Sequence, residues 1–257
     1  MRIPPFDWWR TVFFLIPAIA LYSTILGTLS IGSSLFQKSG HFAHRCARAW
    51  AWLILATTGV DVEVRGVEKL TPGATYIFVS NHQSIYDIPV IFWHLPWQLR
   101  IIAKASLGRF PIWGWHLSRT GHLLVDRRRP ESGSILRRWK DLVAQGISLI
   151  VFPEGTRSAD GAVGRFKGLS FLLAIQSGLP LVPVSVSGSR HVMRKGRIMT
   201  CPGHVRLVVH DPVPTTGLEE TAEAARRLAE QIRETIRQDV DEPAPARGHC
   251  ASPPEGG

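Results

Sequence analysis

Two short stretches carry most of the reactive side chains of this 257-residue chain. The first, N-H-Q-S-I-Y-D, begins at Asn81 and sets a histidine, His82, five positions before a carboxylate, Asp87. The second, F-P-E-G-T-R-S, runs from Phe152 to Ser158 and offers an acid, a hydroxyl and a guanidinium fork in Glu154, Thr156 and Arg157. An imidazole oriented by a carboxylate can act as a general base, and arginine matches phosphate oxygens two at a time. Together they describe a site that moves a group onto a phosphate-bearing substrate. Bland readings exist for each piece. Ser84-x-x-Asp87 ahead of I-P-V-I-F-W is also a helix capping-box pattern, and Glu154 and Arg157 have the spacing of a surface ion pair.

Such groups need a frame. Each stretch follows an apolar run, Y-I-F-V-S before His82 and I-S-L-I-V before Phe152, which reads as a buried strand. Ligands of open α/β sheets collect at the carboxyl ends of strands. Further strands are expected at residues 62–66, 100–104, 122–127, 180–187 and 204–210, and helices at 88–95, 112–118, 131–145, 168–176 and 218–240. Strands interleaved with helices of about ten residues imply a mostly parallel sheet flanked by helices, an α/β domain over residues 59–241. Lys104 and Arg127 are further cations that close strands. Residues 242–257, rich in Pro and Gly, cannot bury a core and read as a disordered tail.

Residues 1–58 have a different character. No charged residue falls between Thr11 and Gln37, with Trp8, Trp9 and Arg10 before and Lys38 after. That is long enough to cross a bilayer core of about 30 Å as a helix, with the aromatic and basic flanks of an interface. A second uncharged run, residues 49–60, is too short to cross. The pair predicts either a two-helix hairpin dipping into one leaflet or a single span. An A-x-A cleavage pattern is missing, which argues against a signal peptide.

Thirty Lys+Arg against twenty Asp+Glu give a formal charge of +10, which favours polyanions such as lipid headgroups or phosphorylated substrates. Nucleic-acid-binding motifs are absent, so no nucleic acid is expected. Cys46, Cys201 and Cys250 are isolated, with no CxxC spacing, and indicate neither a zinc site nor a disulfide framework. His41 and His44 lie i,i+3 without a carboxylate partner, so no metal is expected. With no G-x-S-x-G serine and no plausible cysteine nucleophile, direct transfer without a covalent enzyme intermediate is the economical chemistry.

N-H-Q-S-I-Y-D is similar to the NHxxxxD signature of glycerolipid acyltransferases, and F-P-E-G-T-R-S to their FPEGTR block. The order of further stretches, Lys104 with G-R-F-P-I-W-G-W, then G-H-L-L-V-D-R, then L-V-P-V-S-V-S-G-S, also looks like theirs. G-S-R-H-V-M-R-K-G with P-G-H-V-R-L-V-V-H-D-P-V resembles the tail of the 1-acyl-sn-glycerol-3-phosphate acyltransferase branch, the likeness covering residues 60–213. The resemblance implies that His82 is the general base, oriented by Asp87. Glu154, Gly155, Thr156 and Arg157 would bind the glycerol phosphate end of the acceptor, with Lys104 and Arg127 near the phosphate, and Val182 and Pro183 would shape the acyl side of the cleft. Many relatives carry F-K-x-G where this chain has Phe166, Lys167 and Gly168 without a spacer. The implied reaction passes a fatty acyl group from acyl-CoA or acyl-carrier protein to the sn-2 hydroxyl of lysophosphatidic acid, with no cofactor beyond that co-substrate. The enzyme would sit on a membrane, the inner one in a bacterium, with its catalytic domain facing the cytoplasm. Another lysolipid acceptor, such as a lyso-ornithine lipid, and a non-catalytic basic membrane-binding protein are the alternatives.

Overall fold

The computed structural model describes residues 4–34, 36, 40–109, 113–125 and 132–240. Its first helix is continuous from Phe6 to Ser33. It is α-helical over Phe6–Arg10 (α1) and Ile16–Ser33 (α2), and widens to a π turn over Thr11–Leu15. Pro17, in the first turn of α2, has no N–H to return to the turn before it, which is where the ladder opens. The next helix, α3 (His41–Thr58), is longer than the expected twelve-residue run because its charged first half is also helical. Arg48 donates to the carbonyls of Trp93 and Leu95, both at 3.0 Å, so this charge fastens α3 to the domain. α3 packs against both α2 and the helix α4 (Asp87–His94).

Seven strands form one sheet in the order β1-β7-β6-β2-β5-β3-β4. They are β1 (Val60–Arg65), β2 (Ile77–Ser80), β3 (Leu99–Lys104), β4 (Leu123–Val125), β5 (Ser148–Val151), β6 (Leu181–Ser187) and β7 (Gly203–Val209). Every neighbouring pair is parallel except β6 and β7. The remaining helices are α5 (Trp113–Arg119), α6 (Ser132–Ala144), α7 (Leu169–Ser177), the short α8 (Ser189–Val192) and α9 (Ala222–Asp239).

The central strands are buried on both faces, which explains their unbroken apolar runs. Phe78 points into one core with Ala51, Leu55, Val90 and Ile91 of α3 and α4. Its neighbours Ile77 and Val79 point into the other, with Trp139, Phe171, Leu228 and Ile232 of α6, α7 and α9. At about 25 cal/mol per Å² of apolar surface, these two layers supply most of the cohesion. Because β2, β5, β6 and β3 run in one direction, their carboxyl ends meet along a single edge. The expected α/β architecture with a mixed, mostly parallel sheet is the one observed. Cys46 is free and buried, whereas Cys201 is disulfide-bonded, a feature its spacing did not announce. The tail at residues 242–257 lies outside the described residues.

Candidate active site

The site begins where β2 stops. Asn81, nearly fully buried, pins the end of β2 to β6: its side-chain amide donates to the Val186 carbonyl and its oxygen accepts from the Val186 N–H, both at 2.8 Å. The next residue, His82, turns its ring onto Phe152 at the end of β5, with ring centres 4.3 Å apart and planes 26° apart. Nδ1 of His82 lies 2.7 Å from Oδ2 of Asp87. A carboxylate can only accept, so Nδ1 carries the proton and Nε2 is left as the basic nitrogen.

Asp87 is fully buried at the start of α4. Oδ2 also accepts from the N–H groups of Gln83 and Ser84, at 2.8 and 3.0 Å, and Oδ1 accepts from the hydroxyl of Ser189 at 2.5 Å. A carboxylate this deep would be costly without such donors. Half of the capping-box pattern is present, since Asp87 accepts the N–H of Ser84, but the other half is not. No side chain caps α4, whose N-cap is Tyr86, and the hydroxyl of Ser84 donates to the Met193 carbonyl instead. Asp87 folds the turn that presents His82, a structural task that serves the same end as orienting its ring.

The second motif wraps the first. Gly155 takes φ +74°, a left-handed conformation open to glycine, and lets the chain reverse after β5. Glu154 then braces two loops: Oε1 accepts from the N–H of His82 at 2.9 Å and Oε2 from the N–H of Gly164 at 3.2 Å. Burial pushes the Glu154 carboxyl up, against the lowering effect of these N–H groups and of His82. It makes no ion pair with Arg157 among the described residues. The N–H of Ser158 donates to the His82 carbonyl at 2.7 Å, so residues 154–158 lie directly against the histidine turn. Arg157 is half-buried, and among the described residues its guanidinium has no hydrogen-bond or ion-pair partner. Thr156 is exposed and accepts from Nζ of Lys195 at 3.1 Å, while the same Nζ reaches the Arg157 carbonyl at 2.8 Å.

His82, Asp87, Glu154, Gly155, Thr156 and Arg157 are therefore brought together at one edge. Of Lys104 only the backbone is described, closing β3 in register with Val125, and Arg127 lies outside the described residues. Val182 and Pro183 are buried within β6, paired with Phe78 and Val79 of β2. Neither lines the large apolar cavity of about 650 Å³ that opens between the amino-terminal helices and the domain. Its walls include Leu15, Ile19, Trp50, Ile85, Pro89 and Met193. Lys167 is exposed, and its backbone N–H donates to the Pro153 carbonyl at 3.0 Å. The sequence reading passed over Ser189, Lys195 and the ring stack of Phe152. Ser189 and Lys195 lie more than a hundred residues from His82, with no local pattern tying them to it.

Comparison with known proteins points to one family and fold. The family profile described as Acyltransferase matches residues 61–187. The chain is 33% identical over 195 residues to 1-acyl-sn-glycerol-3-phosphate acyltransferase BAT2, chloroplastic, of Brassica napus, covering 74% of this chain and 56% of that protein. It thus spans just over half the length of its plant relative. Against 1-acyl-sn-glycerol-3-phosphate acyltransferase alpha of Mus musculus it is 33% identical over 204 residues, 77% of this chain and 71% of that one. The crystal structure of the 1-acyl-sn-glycerophosphate (LPA) acyltransferase PlsC from Thermotoga maritima superposes with a TM-score of 0.73 at 28% identity, over 92% of this chain and 98% of that one. A relative matched over two thirds of its own length, at this identity and with this fold, settles kinship: the chain belongs to the 1-acyl-sn-glycerol-3-phosphate acyltransferase family.

Proposed function

We propose that the protein transfers a fatty acyl group from a thioester donor, acyl-CoA or acyl-carrier protein, to the sn-2 hydroxyl of lysophosphatidic acid, giving phosphatidic acid. The observation that carries this reading is the 2.7 Å contact between His82 and Asp87, against which the arginine-bearing turn is folded. Nε2 of His82 takes the proton of the acceptor hydroxyl, and the oxygen attacks the acyl carbonyl. The tetrahedral oxyanion collapses, the carbon–sulfur bond breaks, and the departing thiolate recovers the proton from His82. General-base help of this kind is worth ~10²–10⁴ in rate. No cofactor enters the scheme.

Arg157 takes the acceptor phosphate, with Thr156, Glu154 and Gly155 shaping the glycerol end and Lys104 and Arg127 as further cations. The resemblance places Val182 and Pro183 on the acyl side, and both are buried in β6 beside β2. The apolar cavity walled by Ile85, Pro89 and Met193 is the better receptacle for a fatty chain, being large and almost free of polar groups. Its other wall is α2, so the helix that meets the bilayer also encloses the chain. The amino-terminal helices attach the enzyme to the membrane, with the catalytic domain on the cytoplasmic side.

An acceptor panel with one labelled thioester tests this. Wild-type protein should acylate lysophosphatidic acid, His82→Ala should lose at least about a hundredfold in kcat, and Arg157→Ala should chiefly raise KM for the phosphate-bearing acceptor. Transfer only to a lyso-ornithine lipid or another lysolipid would replace the acceptor. Full activity of His82→Ala would return the chain to a non-catalytic membrane-binding role.

A further inference from the structure

We propose that Ser189 is a positioning residue of the acyl transfer, the third member of a Ser189–Asp87–His82 relay; the inference rests on the catalytic reading above. Ser189 is fully buried, and its hydroxyl, 2.5 Å from Oδ1, is the donor to that oxygen, while Oδ2 takes His82 and two backbone N–H groups. Gly188, at φ +87°, ends β6 in a left-handed turn and begins α8 at Ser189, which swings the hydroxyl back toward α4. The contact joins segments 102 residues apart. It also ties β6, already held to β2 through Asn81 and Val186, to the carboxylate itself.

Its physical effect is twofold. The hydroxyl fixes the plane of the carboxylate, so Oδ2 faces Nδ1 and the ring of His82 keeps its orientation. It also draws negative charge off the carboxylate, which weakens the hold of Asp87 on a protonated ring and lets His82 release its proton to the thiolate. Loss of the donor strengthens that hold. The ring then gains its proton at higher pH, and less of it stands ready as a base at any pH on the acid side. Other titratable groups on the elements packed about the pair are Glu154, Arg157 and Lys195 around the turn after β5, Tyr86 at the N-cap of α4, and Arg190 and His191 on α8. None of them is altered by the test.

Ser189→Ala and Ser189→Cys, the latter keeping size with a weaker donor, are compared with wild type in detergent. Expected for Ser189→Ala is a fall in kcat of about tenfold, part of what a base supplies, with KM for lysophosphatidic acid within twofold. The acid limb of its pH–rate profile should move up by about half a pH unit, with Ser189→Cys in between. In the absence of substrates, the His82 Cε1–H resonance should titrate at correspondingly higher pH in Ser189→Ala. A fall in kcat with an unmoved acid limb and an unmoved resonance would make Ser189 a packing residue only, and an unchanged kcat would dismiss it outright. Should wild type fail to acylate lysophosphatidic acid, the proposed activity falls, while the substrate-free titration still decides whether Ser189 tunes the pair.

Discussion

At the level of single residues, His82 is held at its ring by the carboxylate of Asp87 and the face of Phe152, at its carbonyl by the N–H of Ser158, and at its backbone N–H by Glu154. The last is the least obvious from sequence. Glu154 looked like a ligand for the acceptor or half of a surface ion pair, yet both its oxygens are engaged by backbone donors from two different loops. Glu154→Gln keeps one acceptor but sets an amide N–H₂ against another N–H, stranding a half-buried donor. Leaving such a group unsatisfied costs about 1–3 kcal/mol, and the loss should appear in urea unfolding as a lower midpoint with an unchanged slope. Activity should fall too, since the N–H released belongs to the base. Equal stability of Glu154→Gln and wild type would show that the brace carries no weight. The pairing of His82 with Asp87 was legible because both partners fall within one strand-to-helix turn, where five residues fix their separation. Ser189 was not, because nothing in local spacing reveals which distant hydroxyl a sheet will deliver.

Among the elements, the alternation of apolar runs with helical periodicity located all seven strands and every long helix of the domain, since parallel strands buried on both faces leave an unmistakable apolar imprint. α8, a single turn of four residues, has too little sequence to carry a period. The antiparallel insertion of β7 beside β6 is set by side-to-side packing, which no one-dimensional pattern encodes. The start of α3 was misjudged for a related reason: Arg48 bounds the uncharged run, whereas the helix continues back to His41 and Arg48 is bonded to the carbonyls of Trp93 and Leu95. His44 is the telling case. It is buried, and its pKa is pushed down to about 4 by desolvation and by Arg100 and Arg48. An unfolded histidine titrates near 6.5, so below that pH the unfolded chain binds a proton that the folded one refuses. Stability from this group is complete above about pH 6.5 and drains away toward pH 4, by about 3 kcal/mol at most. Thermal unfolding in micelles should show wild type losing stability over that window, and His44→Leu should flatten the slope. A variant that keeps the full wild-type slope would assign the acid sensitivity elsewhere, His94 and His210 being the other histidines whose pKa burial lowers.

For the molecule as a whole, the question is how a helix long and apolar enough to cross a bilayer relates to the domain behind it. One side of it is committed to the protein. Arg10 donates to the Thr58 carbonyl at 2.9 Å, Thr11 accepts from the N–H of Thr200 at 3.0 Å, and Ser23 accepts from the indole of Trp50 at 2.9 Å. These contacts fasten it at both its start and its middle, and between them Leu15 and Ile19 wall the apolar cavity. We propose that a helix so attached lies in one leaflet, since standing across a bilayer would draw polar loops such as that of Thr200 into hydrocarbon, where unpaired backbone groups are costly. The opposite side is apolar and open: Phe13 is 66% exposed, Phe14 59% and Leu21 65%. The arrangement favours a helix lying in one leaflet, with the basic domain drawn to anionic headgroups. Burying a large apolar side chain is worth about 1.5–3 kcal/mol, and these three are already partly covered, so each should contribute roughly tenfold to partitioning. Phe13→Ser, Phe14→Ser and Leu21→Ser combined should therefore weaken sedimentation with anionic vesicles by roughly a thousandfold. Transfer to a short-chain acceptor in detergent should stay within a few-fold of wild type, since none of the three side chains lines the cavity. A spanning helix would behave differently: the triple variant would remain in the membrane after carbonate washing, and a label at residue 36 would be reached from the face opposite the catalytic domain.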